Sequence, residues 1–321
     1  LLILYPYALR PSLFILYLNI RFSTPTTTTI IMKFFSAAGV LASLLSLASA
    51  AGLTKVNNFG SNPTNAQMYT YVPDNVSASP QLVLVIHYCG GTAQAMYSNT
   101  DWKRYADQYG FVLVFPQTPN SNGCWDVSSR ATLIRDGGGD STSIANMVKY
   151  AVKQHKVNTS KMYVTGTSSG AMMTNVMAAT YPDMFAGASS YAGVAAGCFY
   201  TGTVAGWNST CSQGKSVHTQ EQWAATARAM DPGYTGSRPT MLIYHGTDDT
   251  TINPQNQFEA IKQWTGIFGY STTPSQTLPG SPGPVWTTRV YGPKVRGITG
   301  AGVTHAITMQ VANDMAVWNM V

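Results

Sequence analysis

The sequence predicts an α/β fold, a mostly parallel sheet with helices on both faces. Three observations predict it. Short apolar, β-branched runs without polar alternation recur along the chain, as in strands buried on both faces. Stretches with helical periodicity separate those runs. A G-x-S-x-G pentapeptide, Gly166 to Gly170, stands between one such run and one such stretch. Strands that alternate with helices build a parallel sheet covered on both sides.

The first strand is predicted at Gln81 to His87, and the second at Phe111 to Phe115, stopped by Pro116. Ile144, Met147, Val148, Ala151 and Val152 fall on one helical face, with Asp140, Ser141 and Thr142 upstream as N-cap candidates. Lys161 to Thr165 is the third strand. The helix after it must stop before Pro182, because the residue before a proline disfavours helical backbone. Thr219 to Gln222 reads as a capping box that opens a helix through Met230. Met241 to His245 is the fourth strand. Asn253 and Pro254 read as N-cap and first helical residue, and Gly266 can close that helix. Pro274 to Pro284, rich in Gly, Pro and Ser, is predicted as a surface loop. With no internal repeat or long Pro/Ser/Thr linker, residues 51–321 read as a single domain.

The first 50 residues read differently. Residues 1–31 carry two isolated arginines and a Pro-Thr-rich end, and suggest translated upstream sequence or an unprocessed leader. Arg10-Pro11 breaks the apolar run, leaving pieces far short of the roughly 20 residues of a membrane span. Residues 32–50 read as a signal peptide: Lys33, an apolar stretch from Phe34 to Leu47, then Ala48-Ser49-Ala50 as a cleavage site. A secreted, extracellular protein beginning near Ala51 is expected. Of the formal charge of +6, Arg10, Arg21 and Lys33 lie in this leader. No Lys/Arg cluster stands ready for phosphates, so neither nucleic acid nor membrane is expected as a partner.

Cysteine usage agrees with secretion. Cys89, Cys124, Cys198 and Cys211 form an even set, for which disulfides are the default in an oxidising compartment. Pairing Cys89 with Cys124 and Cys198 with Cys211 is favoured, the second closing a short loop. No C-x-x-C or Cys/His spacing suggests zinc. Three sequons, at Asn75, Asn158 and Asn208, are candidate glycosylation sites on surface loops.

The chemistry centres on Ser168. A nucleophile elbow turns sharply from strand to helix so that the serine hydroxyl stands exposed, and flanking glycines let the backbone turn. The following helix points its N-terminal amides at any oxyanion formed there. A serine needs a base in reach, and the base needs an orienting carboxylate. In the α/β-hydrolase fold these follow in the order Ser, Asp or Glu, His. Asp248 and Asp249 follow the fourth strand and compete for the acid. His305, in a glycine-bearing segment near the C-terminus, fits the base. His87 and His245 come too early in the chain for that role, while His155 and His218 read as surface residues. Two amides are expected to hold the oxyanion, those of Ser169 and Cys89, the latter in the loop His87-Tyr88-Cys89-Gly90-Gly91.

Longer stretches carry a resemblance. Ile86-His87-Tyr88-Cys89, Gly123-Cys124-Trp125-Asp126-Val127-Ser128-Ser129, the block Gly170 to Pro182, Gly206-Trp207-Asn208-Ser209-Thr210-Cys211 and Tyr244-His245-Gly246 are among them. On these the chain resembles the fungal acetyl xylan esterases of carbohydrate esterase family 1, relatives of feruloyl esterases and polyhydroxybutyrate depolymerase-like esterases. The resemblance implies an extracellular α/β-hydrolase that removes acetyl groups from xylan. It maps the nucleophile onto Ser168, the base onto His305, and the acid, fifth in H-G-x-x-D, onto Asp249 rather than Asp248. It implies no metal or organic cofactor, acetylated xylan or xylo-oligosaccharide as substrate, and a monomer. Trp125, Tyr88, Tyr200 and Trp207 are candidates to present rings to xylose units, Trp125 foremost. Gly90-Gly91, where Thr-Gly is expected, and Ala306-Ile307-Thr308, where Thr-Val-Pro is expected, depart from the pattern. The competing readings are a feruloyl esterase, a short-polyester depolymerase, and a non-catalytic carbohydrate-binding protein.

Overall fold

The computed structural model describes residues 51–321. The leader and signal-peptide expectations for residues 1–31 and 32–50 lie outside the described residues. Ten strands form one sheet: β1 (Thr54–Val56), β2 (Gln67–Tyr71), β3 (Leu82–Ile86), β4 (Val112–Gln117), β5 (Met162–Thr167), β6 (Gly187–Tyr191), β7 (Thr240–Gly246), β8 (Gln276–Pro279), β9 (Trp286–Val290) and β10 (Val295–Gly300). Their order across the sheet is β1-β2-β4-β3-β5-β6-β7-β10-β9-β8. The central run from β4 to β10 is parallel; β1, β2, β9 and β8 pair antiparallel at the two edges. The expected α/β-hydrolase architecture is present, with antiparallel edges added.

The unalternating apolar runs follow from burial on both faces. Along β3, Leu82, Leu84 and Ile86 enter one hydrophobic cluster while Val83 and Val85 enter another. The first cluster takes Ile144 and Met147 from α3 (Asp140–His155), Met173 and Val176 from α4 (Ser169–Thr180), Trp223 from α6 (Gln220–Arg228) and Trp264 from α7 (Gln255–Phe268). The second takes Met96 from α1 (Ala93–Asn99), Trp102 from α2 (Trp102–Tyr109) and Met315 from α8 (Val311–Val317). A short helix, α5 (Ser209–Ser212), follows the loop that bears Trp207.

Several boundaries differ from expectation. Pro116 does not stop β4, which runs on to Gln117 paired with β2. Pairing with β3 ends at Val114, so a residue without an N–H beyond it removes little from the ladder. Helix α3 starts at Asp140 with Gly139 at the N-cap, because the Asp140 carboxylate is turned instead to Asn120 and the Asp126 amide. Thr219 and Gln222 do form both halves of a capping box, and the helix they open ends two residues before Met230. Helix α7 passes through Gly266 and closes at Gly269 in left-handed backbone (φ 69°). At Gly266 a Cβ would stand 2.7 Å from the Gln220 carbonyl oxygen of α6. That glycine therefore serves helix packing. Pro274 to Pro284 contains the exposed edge strand β8. Both disulfides pair as expected, Cys89 with Cys124 and Cys198 with Cys211.

Candidate active site

The elbow is strained backbone at the end of β5. Ser168 has φ 56° and ψ −119°, a conformation that side-chain-bearing residues rarely adopt. It is held because its amide donates to the Tyr191 carbonyl of β6 and its carbonyl accepts from Met172 inside α4. Gly166 and Gly170 are both required: a Cβ at Gly166 would meet the Gly170 carbonyl, and one at Gly170 would meet the Ile86 carbonyl of β3. The helix thus starts against the strand, with the serine at the turn.

Two other segments reach the same rim. Strand β7 ends at Gly246, and Asp249 follows it, only 4% exposed. After β10 the chain turns and carries His305 back over the sheet edge. His305 Nε2 lies 2.9 Å from Ser168 Oγ, and His305 Nδ1 lies 2.8 Å from Asp249 Oδ2. Asp248 is exposed, and its carboxylate accepts from its neighbour Thr247 Oγ1. Of the two adjacent aspartates, Asp249 and not Asp248 lies against His305.

Asp249 is saturated with donors. Its Oδ1 accepts from the amides of Thr251 (2.9 Å) and Ile252 (2.8 Å), and its Oδ2 also faces His245 Nε2 at 3.1 Å. Burial alone pushes this carboxyl up, but hydrogen bonds from His245, His305 and the Ile252 amide outweigh it and hold it well below the usual carboxylate range. The charge on Asp249 therefore persists across the pH range in which a histidine acts as a base.

Of the other histidines, His87 is buried at the start of the glycine loop. Its Nε2 accepts from the Thr118 amide at 3.1 Å, leaving Nδ1 to donate to the Tyr88 carbonyl at 2.7 Å. Burial lowers its pKa, so it is a neutral brace for that loop. The amides of Cys89 and Ser169 donate no hydrogen bond among the described residues, and both residues line the cavity that contains Ser168. Free amides at a helix start beside a glycine loop suit a developing oxyanion.

That cavity has a volume of about 1100 Å³ and is walled by Tyr88, Trp125, Trp207, Ile252 and Met309 among others. The candidate rings differ sharply in exposure: Trp207 55%, Tyr200 51%, Tyr88 40% and Trp125 1%. The expectation that Trp125 presents its ring foremost is therefore corrected. Its indole N–H donates to the His87 carbonyl, and its own amide donates to Ser169 Oγ, so it lies in the wall as a brace. Tyr200 lies outside the cavity lining, whereas Tyr88 and Trp207 are in it. Trp207 stands edge-on to Phe199, ring centres 5.1 Å apart.

Two residues that brace the site carry little signal in the sequence. Asp126, buried, accepts from the amides of Ser128, Ser129 and Ala205 and from the hydroxyls of Ser129 and Thr132. With Ser128, whose Oγ accepts from Gly206 and donates to Thr203, it ties down the loop that presents Trp207. Its signal was a lone acid within the Ser/Trp-rich block Gly123 to Ser129. His245 comes too early in the chain to be the base, yet it opens the same H-G-x-x-D motif that ends in Asp249. The sequon residues Asn75, Asn158 and Asn208 sit at exposed or half-buried positions, with Asn208 capping α5.

Comparison with known proteins places the chain in a family. Residues 67–272 match the family described as Esterase PHB depolymerase. The chain is 51% identical over 266 residues to acetylxylan esterase A of Aspergillus ficuum, covering 82% of this chain and 88% of the relative. It is 50% identical over 294 residues to the probable acetylxylan esterase A of Aspergillus clavatus, covering 90% and 96%. The solved acetyl xylan esterase from Aspergillus awamori superimposes with a TM-score of 0.83 at 49% identity, over 84% of this chain and all of that one. The chain therefore belongs to the esterase PHB depolymerase family, grouped with the acetylxylan esterases, and is a carboxylic ester hydrolase.

Proposed function

We propose that the protein is a secreted esterase that hydrolyses acetyl esters on xylan through a Ser168–His305–Asp249 triad and an acyl-enzyme. The observation that carries this reading is the unbroken chain of contacts from Ser168 Oγ to His305 to Asp249 on the wall of an open cavity. Ser168 Oγ attacks the acetyl carbonyl carbon as His305 Nε2 takes its proton. The amides of Ser169 and Cys89 receive the oxyanion. Asp249 holds the proton on His305 Nδ1 and stabilises the charged ring. The ester C–O bond then breaks, and His305 returns the proton to the departing sugar hydroxyl. Water, deprotonated by His305, attacks the acetyl-serine and releases acetate and free Ser168. These residues and water supply every group the two steps need.

Tyr88 and Trp207, half exposed on the cavity wall, supply faces for xylose rings. Secretion is supported by two disulfides, which persist in oxidising compartments. Asn75, Asn158 and Asn208 are the proposed glycan acceptors, and the folded chain acts as a monomer.

Ser168→Ala tests the reading. Acetate release from acetylated xylan should fall by many orders of magnitude, approaching roughly a million-fold as for the nucleophile in another triad fold. Near-normal turnover would end the proposal. The cavity is large for an acetyl group alone, so a feruloyl ester belongs in the same assay. Faster feruloyl than acetyl release by the unaltered enzyme would reassign the acyl preference while leaving the triad in place.

A further inference from the structure

We infer that His245 is a positioning residue for the acid of the triad: its Nε2–H anchors Asp249 Oδ2 and sets how strongly that carboxylate draws charge onto His305. The inference rests on the triad reading above.

The geometry assigns the ring proton. His245 Nε2 lies 2.8 Å from the Ile252 carbonyl and 3.1 Å from Asp249 Oδ2, and both oxygens can only accept. The proton therefore sits on Nε2, bonded to the Ile252 carbonyl, with Asp249 Oδ2 beside the N–H at 3.1 Å. Nδ1 is buried without a hydrogen-bond partner among the described residues, so a second N–H there would go unmet. The residue is 1% exposed and does not line the cavity.

Two effects follow. Asp249 Oδ1 is occupied by two backbone amides, and Oδ2 by two imidazoles. Three hydrogen bonds and the flanking His245 N–H dipole keep the carboxylate turned to His305. The bond to Ile252 also ties the 249–252 turn, which supplies both backbone donors, to the end of β7. A neutral donor on Oδ2 further tempers the negative charge that His305 meets. This explains why a histidine opens the H-G-x-x-D segment: four residues on, the chain turns back so that the acid meets it.

The base works only when neutral, so kcat/KM has an acid limb. His245→Leu removes the donor at similar bulk. Asp249 then pulls harder on the His305 proton, and the acid limb should move to higher pH by about half a unit or more, the scale of one lost neutral hydrogen bond. We expect kcat to fall by about ten- to a hundredfold, the range seen when partners that orient metal-bound ligands are removed. KM should change little. His245→Gln, which still offers an N–H at similar reach, should recover most of kcat and the original limb.

A leucine variant with an unshifted or downward-moving limb and normal kcat overturns the inference, as does a glutamine variant as impaired as the leucine one. If the leucine variant does not fold, two measurements decide. One is the glutamine variant's pH profile. The other is nitrogen-15 NMR of the resting, histidine-labelled enzyme, where a proton on Nδ1 of His245 in place of Nε2 would refute the assignment. The NMR needs no turnover. Failure of the inference is thereby separated from failure of the triad, which Ser168→Ala reports.

Discussion

Asp249 carries the densest polar environment of the site: two backbone amides and two imidazoles converge on its carboxylate, itself fully buried. An amide in its place can accept at only one end. Asp249→Asn would therefore leave either the two backbone N–H groups or the two ring nitrogens facing another donor. His305 would lose the tautomer that leaves Nε2 free to accept from Ser168. We expect kcat to drop by about 10⁴-fold, the scale known for this change in a triad protease, with little change in fold. Turnover of a soluble acetyl ester by the purified variant checks it, and a loss below tenfold would contradict the role given to Asp249. Residue types and chain order made this set legible. The identity of the acid between two adjacent aspartates was not, because one residue along a turn after a strand reverses which side chain points inward. The resemblance points to Asp249, which is buried against His305, whereas Asp248 is exposed.

Helices and turns whose signals are local matched best. The elbow was readable because a strand, a strained serine and a helix must be contiguous, and glycines are the only residues that fit the contacts with Gly170 and Ile86. The capping box at Thr219 was readable because both of its bonds lie within four residues, Thr219 Oγ1 accepting from the Gln222 amide and Gln222 Oε1 from the Thr219 amide. Thr219→Ala should cost about 1 kcal/mol of stability. Urea unfolding of the variant against the parent measures it, and the m-value should not change. Gly266 shows the converse. It looked like a helix end because glycine often is one, yet its missing side chain answers to Gln220 on a different helix. Pro116 looks like a stop for a similar reason, since pairing with β2 is not visible in the local sequence.

At the scale of the molecule, the C-terminal segment that brings His305 home is fastened by one buried acid. Asp314 of α8 accepts from the hydroxyls of Tyr191 and Tyr244, both at 2.7 Å, and those rings stack 4.1 Å apart beneath the elbow. Tyr191 also supplies the carbonyl that fixes the Ser168 amide. Burial raises the Asp314 pKa from 3.8 to about 7, against the lowering effect of its hydroxyl donors. The sign follows from linkage: the native state holds this proton more tightly than the unfolded chain does. Stability from this group is therefore greatest below about pH 4 and declines as pH rises toward 7, where the carboxylate must be buried charged. Asp314→Asn removes the titration. The difference in Tm between parent and variant should change steadily between pH 4 and 7 and level off above about pH 8, which thermal melts across that range will record. A constant difference would mean that Asp314 does not titrate there.

What the sequence by itself determined was the order of elements and the strand-to-helix turn at Ser168, with His305 placed after both by chain order. Each rests on short-range backbone chemistry, on periodicity, or on a chain order imposed by the parallel sheet. Only the tertiary structure decided which rings face the cavity, what Gly266 accommodates, and that His245 meets Asp249. Those depend on contacts between segments far apart in the chain, or on which side of a turn a side chain falls. Trp125 illustrates the limit most plainly: an indole beside the nucleophile looks the same in sequence whether its face is open or, as here, its N–H is spent on the carbonyl of His87.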